Sequence, residues 1–204
     1  EHDELLSEGA MHGMEVYNER TYCPEAHRWC LEKKLTMLAN SDVHPPIGLE
    51  YGAAVGERRP VTLVFATDRS PAAIKKALLD RRTAVWSGNH LIGEERFLRP
   101  IVERSLEILQ PASAIRGTGR VYAQIHNRSD IPYQLRRKSE LEEVTIPASL
   151  TLVAQRTVLV ELRGRATAQP GRKILDLPYT IENLLVEPNR GLDVTLKVEV
   201  EIRK

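Results

Sequence analysis

Ser41-Asp42-Val43-His44 places a carboxylate and an imidazole two residues apart, behind an apolar run at 35–39 and ahead of Pro45-Pro46. In an extended loop that turns at the prolines, both side chains can face one point. That is a normal way to supply an oxygen and a nitrogen ligand to Zn, Mn or Fe. The same residues also read as an aspartate capping a loop beside a solvated histidine. Gly88-Asn89-His90 follows a later apolar run, so Asn89 and His90 could line the same mouth as substrate-binding residues, or form an ordinary polar loop. His2 and His12 are the other early candidates for a ligand; a lone histidine is first of all a polar residue. Ser70, followed by Pro71, reads as a helix cap rather than a nucleophile, because no His–Asp partnership is legible around it. Arg58-Arg59, Arg81-Arg82 and Arg136-Arg-Lys138 could attract phosphate or carry solvated charge. A phosphate-cradling glycine loop is not among the motifs: Gly117-Thr-Gly119 lacks a third glycine and a preceding strand.

Two rhythms position these residues. Up to about Gln110-Pro111, short apolar runs alternate with helical patterns. Residues 14–17, 35–39, 61–66 and 83–86 read as strands; VTLVFA is nearly all apolar, as a strand buried on both faces would be. Residues 24–34 read as a helix with Pro24 in its first turn and Ala26, Trp29 and Cys30 on one face. A second helix starts at Ser70-Pro71, and 94–109 predicts a helix kinked or restarted at Pro100. This order argues for a βα layer or barrel. From about Ala114 the chain reads as all-β. Leu192, Val194, Leu196, Val198, Val200 and Ile202 alternate with polar neighbours over six repeats, the mark of a half-buried antiparallel strand. Residues 120–126, 156–162 and 179–186 alternate less strictly, with turn signals between them, and together they predict a small β-sandwich.

Composition bounds the function. The 204 residues carry 29 Lys+Arg and 28 Asp+Glu, a net charge of +1, and only 5% are aromatic, which argues against a nucleic-acid binder. Residues 1–42 hold nine acids and four bases, a net of −5, and the remainder carries +6, compatible with a cation site early in the chain. No run approaches the roughly 18 consecutive apolar residues of a membrane span. Cys23 and Cys30 cannot build a disulfide framework, fit cytoplasm or periplasm alike, and read as buried small hydrophobes. The chain opens Glu-His-Asp-Glu, with no initiator Met and no signal-peptide pattern, so it is expected to be a piece of something longer.

Gly13-Met-Glu-Val-Tyr17, a helix containing His27, and Leu35-Thr-Met-Leu-Ala-Asn-Ser-Asp-Val-His44 together resemble the PHP (polymerase and histidinol phosphatase) superfamily of metal-dependent phosphoesterases. Residues 59–65 and 82–86 resemble its closing βα units, in the bacterial forms that carry an extra β domain. The resemblance covers roughly residues 9–109. It implies the C-terminal portion (1–111) of a seven-stranded, PHP-like βα barrel, followed by an Ig-like antiparallel β-sandwich (112–204). It implies up to three divalent metals (Zn, Mn or Fe) that activate water against a small phosphorylated substrate. Asp42 and His44 match the family's last pair of metal ligands. Glu15 matches its strand glutamate, as a catalytic residue behind the metal or facing the substrate. The family's opening His-x-His and its middle Glu and His ligands have no counterpart here, so the portion is expected to be inactive alone. The exposed sheet edge of half a barrel would need cover from a missing N-terminal half, self-association or the β domain. The alternative is a non-enzymatic interaction module, in which the β-sandwich binds a partner or a glycan beside a degenerate scaffold.

Overall fold

The computed structural model describes residues 2–52, 57–109 and 113–204. Two compact units emerge: one made of the chain through Leu98 together with Leu184–Arg190, the other of Arg99–Asn183 with Gly191–Lys204. The boundary expected at Gln110-Pro111 lies outside the described residues.

In the first unit, α1 (His2–Ser7) leads to β1 (Gly13–Asn18) and a short return strand, β2 (Thr21–Tyr22). Then α2 (Pro24–Lys33) carries the chain back to β3 (Thr36–Asn40), which lies parallel to β1, and the sheet order is β2-β1-β3. Pro24 sits in the first turn of α2, where a missing N–H costs nothing, and Lys34 ends the helix in the left-handed region. After α3 (Ile47–Glu50) come β4 (Val61–Val64), α4 (Pro71–Leu79), β5 (Thr83–Ser87) and β6 (His90–Gly93). Ser70 caps α4 by accepting a hydrogen bond from the Ala73 amide at 3.2 Å, as its sequence context predicts. Val16, Ala26, Cys30, Leu35, Met37, Ala39, Val85 and Ile92 form the core, so it is aliphatic, as the low aromatic content requires. Cys30 is buried there and its thiol is pushed up to about 12; Cys23, against expectation, is exposed.

The free edge of β3 is closed by threonines rather than by another strand. The Thr62 hydroxyl accepts from the Ala39 amide (2.9 Å) and contacts its carbonyl (3.1 Å); the Thr83 hydroxyl donates to the Met37 carbonyl (2.9 Å). Thr83→Val keeps the shape but leaves a buried carbonyl without that donor. It is expected to cost about 1–2 kcal/mol, read by urea denaturation with tryptophan fluorescence, since Trp29 and Trp86 both lie in this unit. A loss of only a few tenths would mean that β3 is not held this way.

The described residues do not form the expected βα barrel. Apart from the β1–β3 pair and the pairing of β6 with the tip of β14, this unit's strand pairs are antiparallel: β4 with β5, β5 with β6, and β2 with β1. A barrel of parallel strands needs a crossover of a dozen or more residues between neighbours. Here β5 and β6 are joined by Gly88-Asn89 alone, with Gly88 at φ +52, which makes a hairpin. The four residues of β4 are each half-buried rather than enclosed on both faces.

The chain passes from the first unit's residues to the second's within α5 (Glu95–Ser105), which holds Pro100. The helix passes Pro100 without a break and stops at Ser105, four residues earlier than its pattern predicts. The second unit is made of β7 (Leu106–Ile108), β8 (Ser113–Arg116), β9 (Arg120–Asn127), β10 (Tyr133–Arg137), β11 (Val144–Thr145), β12 (Ser149–Leu152), β13 (Arg156–Gly164), β14 (Gly171–Glu187) and β15 (Arg190–Arg203). One sheet joins β12, β10, β14, β15 and β8; the other runs β11-β13-β9-β7. All six alternating apolar residues of β15 are buried, so its predicted inward face is the observed one. Residues such as Leu135, Leu152 and Leu177 of the first sheet, and Ala123, Ile125, Val160 and Leu162 of the second, supply buried rows. This is the β-sandwich that the turn spacing predicts.

Candidate functional site

Parallel pairing of β1 with β3 brings Asn18 opposite Asn40 at the C-terminal ends of both strands. Glu15 projects among these two. Its carboxylate accepts from Asn18 Nδ2 at 2.7 Å and also from Asn40 Nδ2. The chain then leaves β3 through Ser41, whose carbonyl is pinned by the hydroxyl of the buried Tyr51 at 3.2 Å. Asp42 takes a left-handed backbone (φ +47), a conformation aspartate tolerates better than most residues. That kink, followed by Pro45-Pro46, turns the two side chains toward each other: His44 Nε2 lies 3.9 Å from Asp42 Oδ1.

Both groups stand in solvent, the side chain of His44 86% and that of Asp42 53% exposed. Two donors fall short of the three protein ligands of a catalytic zinc. Among the described residues no group of three His, Cys, Asp or Glu side chains is gathered in a way that could hold a metal. The residues present therefore do not by themselves fit a metal cluster. His2 sits edge-on to Trp29 at 6.2 Å, and His12 is exposed ahead of β1. Asn89 and His90 lie on the β5–β6 hairpin, with His90 exposed and paired across the turn with Ser87.

Sequence reasoning missed the concavity next to this loop. Ile47, Gly48, Tyr51, Glu57, Arg58, Arg59, Val61, Trp86 and Gly88 line a pocket of about 350 Å³. Arg20 partners two of these residues: its guanidinium lies 5.4 Å from the Tyr51 ring centroid and donates to Glu57 at 2.8 Å. Glu57 also accepts from the Gly52 amide, and these bonds, that of Gly52 foremost, hold its carboxyl below the usual carboxylate range. Arg58 lies over Trp86, 4.8 Å from the centroid, and the indole N–H donates to the Gly88 carbonyl at 2.9 Å. The Arg58-Arg59 pair is visible in the sequence, but its aromatic partner stands 28 positions away. In the other two basic clusters Arg81 pairs with Glu94, Arg82 with Asp80, Arg136 with Glu182 and Lys138 with Asp193, as Arg58 packs on Trp86.

Residues 106–197 match the model of the DUF5001 family, described as an Ig-like domain. The chain is similar over 97% of its length to a crystal structure from Bacteroides vulgatus ATCC 8482, a two-domain protein containing a predicted PHP-like metal-dependent phosphoesterase. The identity is 36% and the TM-score 0.85, and the match spans 55% of that chain. Two further structures each align over 48% of this chain with a TM-score of 0.32: WR4, a Caenorhabditis elegans MSP family member, and a protein of unknown function from Porphyromonas gingivalis W83. A likeness that weak carries no argument. No curated protein matches. The second unit is thus an Ig-like β-sandwich, and no helix among the described residues is long and apolar enough to cross a membrane.

Proposed function

We propose that this chain is a non-catalytic binding module of a PHP-like phosphoesterase protein, with the Ig-like sandwich engaging a partner chain or a glycan. The observation that carries it is the two-donor pair: Asp42 and His44 converge in solvent, and among the described residues no third ligand joins them. The likeness to a two-domain phosphoesterase over nearly the whole chain, together with the Ig-like match, supports the same reading.

Metal analysis and phosphatase assay test it on the purified 204 residues. Expected are less than one ion of Mn, Fe or Zn per chain after dialysis against low-micromolar metal, and no p-nitrophenyl phosphate hydrolysis above the metal-only control. Two or more ions per chain with sustained hydrolysis would overturn the proposal.

One observation favours a second reading, in which Asp42 and His44 complete a metal centre within a longer protein. Glu15, within β1, is fixed by Asn40, the last residue of the adjacent β3 and two residues before Asp42, so the three candidate groups lie on β1 and in the loop that leaves β3. The two separate at Asp42→Ala in a longer protein holding this chain. If the pair are ligands, turnover collapses while the fold is retained; if the chain only binds, turnover stays unchanged.

A further inference from the structure

We propose that the open edge of β15 at Thr195–Lys197 takes up an extended segment of a partner protein as an added strand. The segment sets an apolar side chain in the recess beside that edge and a carboxylate next to Lys197. This deepens the binding-module reading and rests on it for the expectation that the sandwich meets a partner chain.

The chain's own pairing defines the edge. β8 lies along β15 only from Val200 to Arg203. Ahead of that stretch, no strand among the described residues borders β15 on the side away from β14. The Arg203 carbonyl accepts from the Gly117 amide at 2.9 Å, on the β8 side, and the Asp193 carbonyl accepts from Arg99 Nη2 at 3.0 Å. Inward and outward side chains alternate without interruption from Asp193 to Arg203, so no bulge intervenes. Residues two apart in a strand direct their N–H and C=O to the same side. Thr195 and Lys197 therefore present theirs on the β8 edge, where β8 has not yet begun. Such an edge is a ready site for strand addition.

The recess supplies a pocket for a side chain. Val102 of α5, Leu106 and Ile108 of β7, and residues 194–197 of β15 are among those lining a hollow of about 230 Å³. Four successive residues of a strand point to both of its faces, so what they share with the hollow is the strand's edge. Val194 and Leu196 stay 9% and 7% exposed, whereas Leu192 and Val200, on the same face, are fully buried. The volume falls below the roughly 300 Å³ at which small-molecule sites begin, so it suits one aliphatic side chain rather than a free ligand.

Charge selects the occupant. Along the outer row of β15, Asp193 is bridged by Lys138, Glu199 by Arg172 and Glu201 by Arg203. Lys197 reaches Asp176 only at 3.9 Å, with both side chains mostly exposed, and such a pair contributes little. An acidic residue on the added strand meets Lys197 as an opposite-charge neighbour across the edge. Apolar inward and acidic outward is the period-two pattern of the segment that fits.

The test is calorimetry on the full chain with the peptide acetyl-Thr-Glu-Val-Glu-Leu-Glu-Thr-amide. It is expected to bind at least tenfold tighter than a scrambled peptide without the alternation, and than a form with lysine for glutamate. Two N-methylated forms are compared, one blocked at the glutamate amides and one at the valine and leucine amides. One is expected to lose binding at least tenfold and the other to keep it, because alternate amides face β15. Loss with the glutamate set means an antiparallel strand, and loss with the apolar set a parallel one. Amide hydrogen exchange at Thr195 and Lys197 is expected to slow at least tenfold on binding. Lys197→Glu should reverse the preference toward the lysine peptide. Thr195→Pro removes a donor from the edge while leaving the ladder to β14 in place, and should abolish binding with the circular dichroism spectrum unchanged. If that variant fails to fold, the N-methylated pair decides. Absence of binding up to millimolar peptide, equal effects of the two methylated sets, or unchanged exchange at Thr195 and Lys197 would overturn the proposal. So would a dimer that protects the same amides without peptide, which would give the edge to a second copy. None of these readouts depends on metal content or hydrolysis, so the edge and the binding-module reading can fail separately.

Discussion

Asn127→Ala is expected to destabilise the Ig-like unit by about 3–5 kcal/mol. Asn127 is the last residue of β9 and is fully buried. Its amide donates to the Ile131 and Leu152 carbonyls, both at 2.9 Å. Its oxygen accepts from the Ser129 amide at 2.9 Å and from the Ser129 hydroxyl at 2.7 Å. One side chain therefore closes the turn after β9 and ties it to the end of β12. Alanine removes all four bonds at once. The Ser129 hydroxyl still reaches the Ile131 carbonyl at 2.9 Å, but the buried Leu152 carbonyl and the half-buried Ser129 amide each lose this partner. Each orphaned group costs about 1–3 kcal/mol, against a domain stability of about 5–15 kcal/mol. Both tryptophans lie in the other unit, so the loss should show in the β signal of far-UV circular dichroism during urea denaturation, with little change in tryptophan emission. A loss below 1 kcal/mol would mean that water or a rearranged turn replaces the side chain.

What was legible in the sequence was local. The inward face of β15 follows from strict alternation, because a one-residue slip would expose all six of its apolar side chains. The starts of α2 and α4 follow from Pro24 and from Ser70-Pro71; the partner of the Ser70 cap, the Ala73 amide, lies within one helical turn. The Asp42/His44 convergence is local as well, fixed by one left-handed residue and two prolines. Pairing partners were not legible. An apolar VTLV has the same composition in a parallel barrel as in a half-buried hairpin, so β4 pointed to the wrong architecture. A signal for the hairpin was present in Gly88-Asn89, a two-residue connection with the glycine that such a turn demands, yet it also passes for a polar loop. Likewise Leu106 and Ile108 keep the apolar spacing of α5 for one more turn. Pairing of β7 with β9 ends the helix, and no residue nearby encodes it. The pocket was out of reach for the same reason: Trp86 comes to lie under Arg58 only because β4 and β5 pair.

Stability of the first unit is expected to fall by about 2 kcal/mol between pH 7 and pH 5, through His27 alone. His27 faces the core from α2 and is fully buried. Its Nδ1 shares a hydrogen bond with the Tyr22 hydroxyl at 2.8 Å, and Nε2 has no partner among the described residues. A charged ring must donate from both nitrogens, so burial disfavours the imidazolium and pushes His27 down to about 4, with Glu187 pulling weakly the other way. In the unfolded chain the same group titrates near 6.5. Between those values the unfolded state binds more protons. The contribution of His27 is therefore complete above pH 6.5, declines as the pH drops, and is lost on approaching pH 4. The tyrosine does not interfere, since burial pushes its own hydroxyl up to about 12. His27→Gln offers a comparison without a titrating group, and the other five histidines (His2, His12, His44, His90 and His126) serve as a common background in both proteins. Urea denaturation followed by tryptophan emission should show a slope below pH 6.5 in the wild type that the variant lacks. Equal slopes in the two proteins, or a flat wild-type profile from pH 7 to 5, would show that His27 reaches water or a proton acceptor on its Nε2 side.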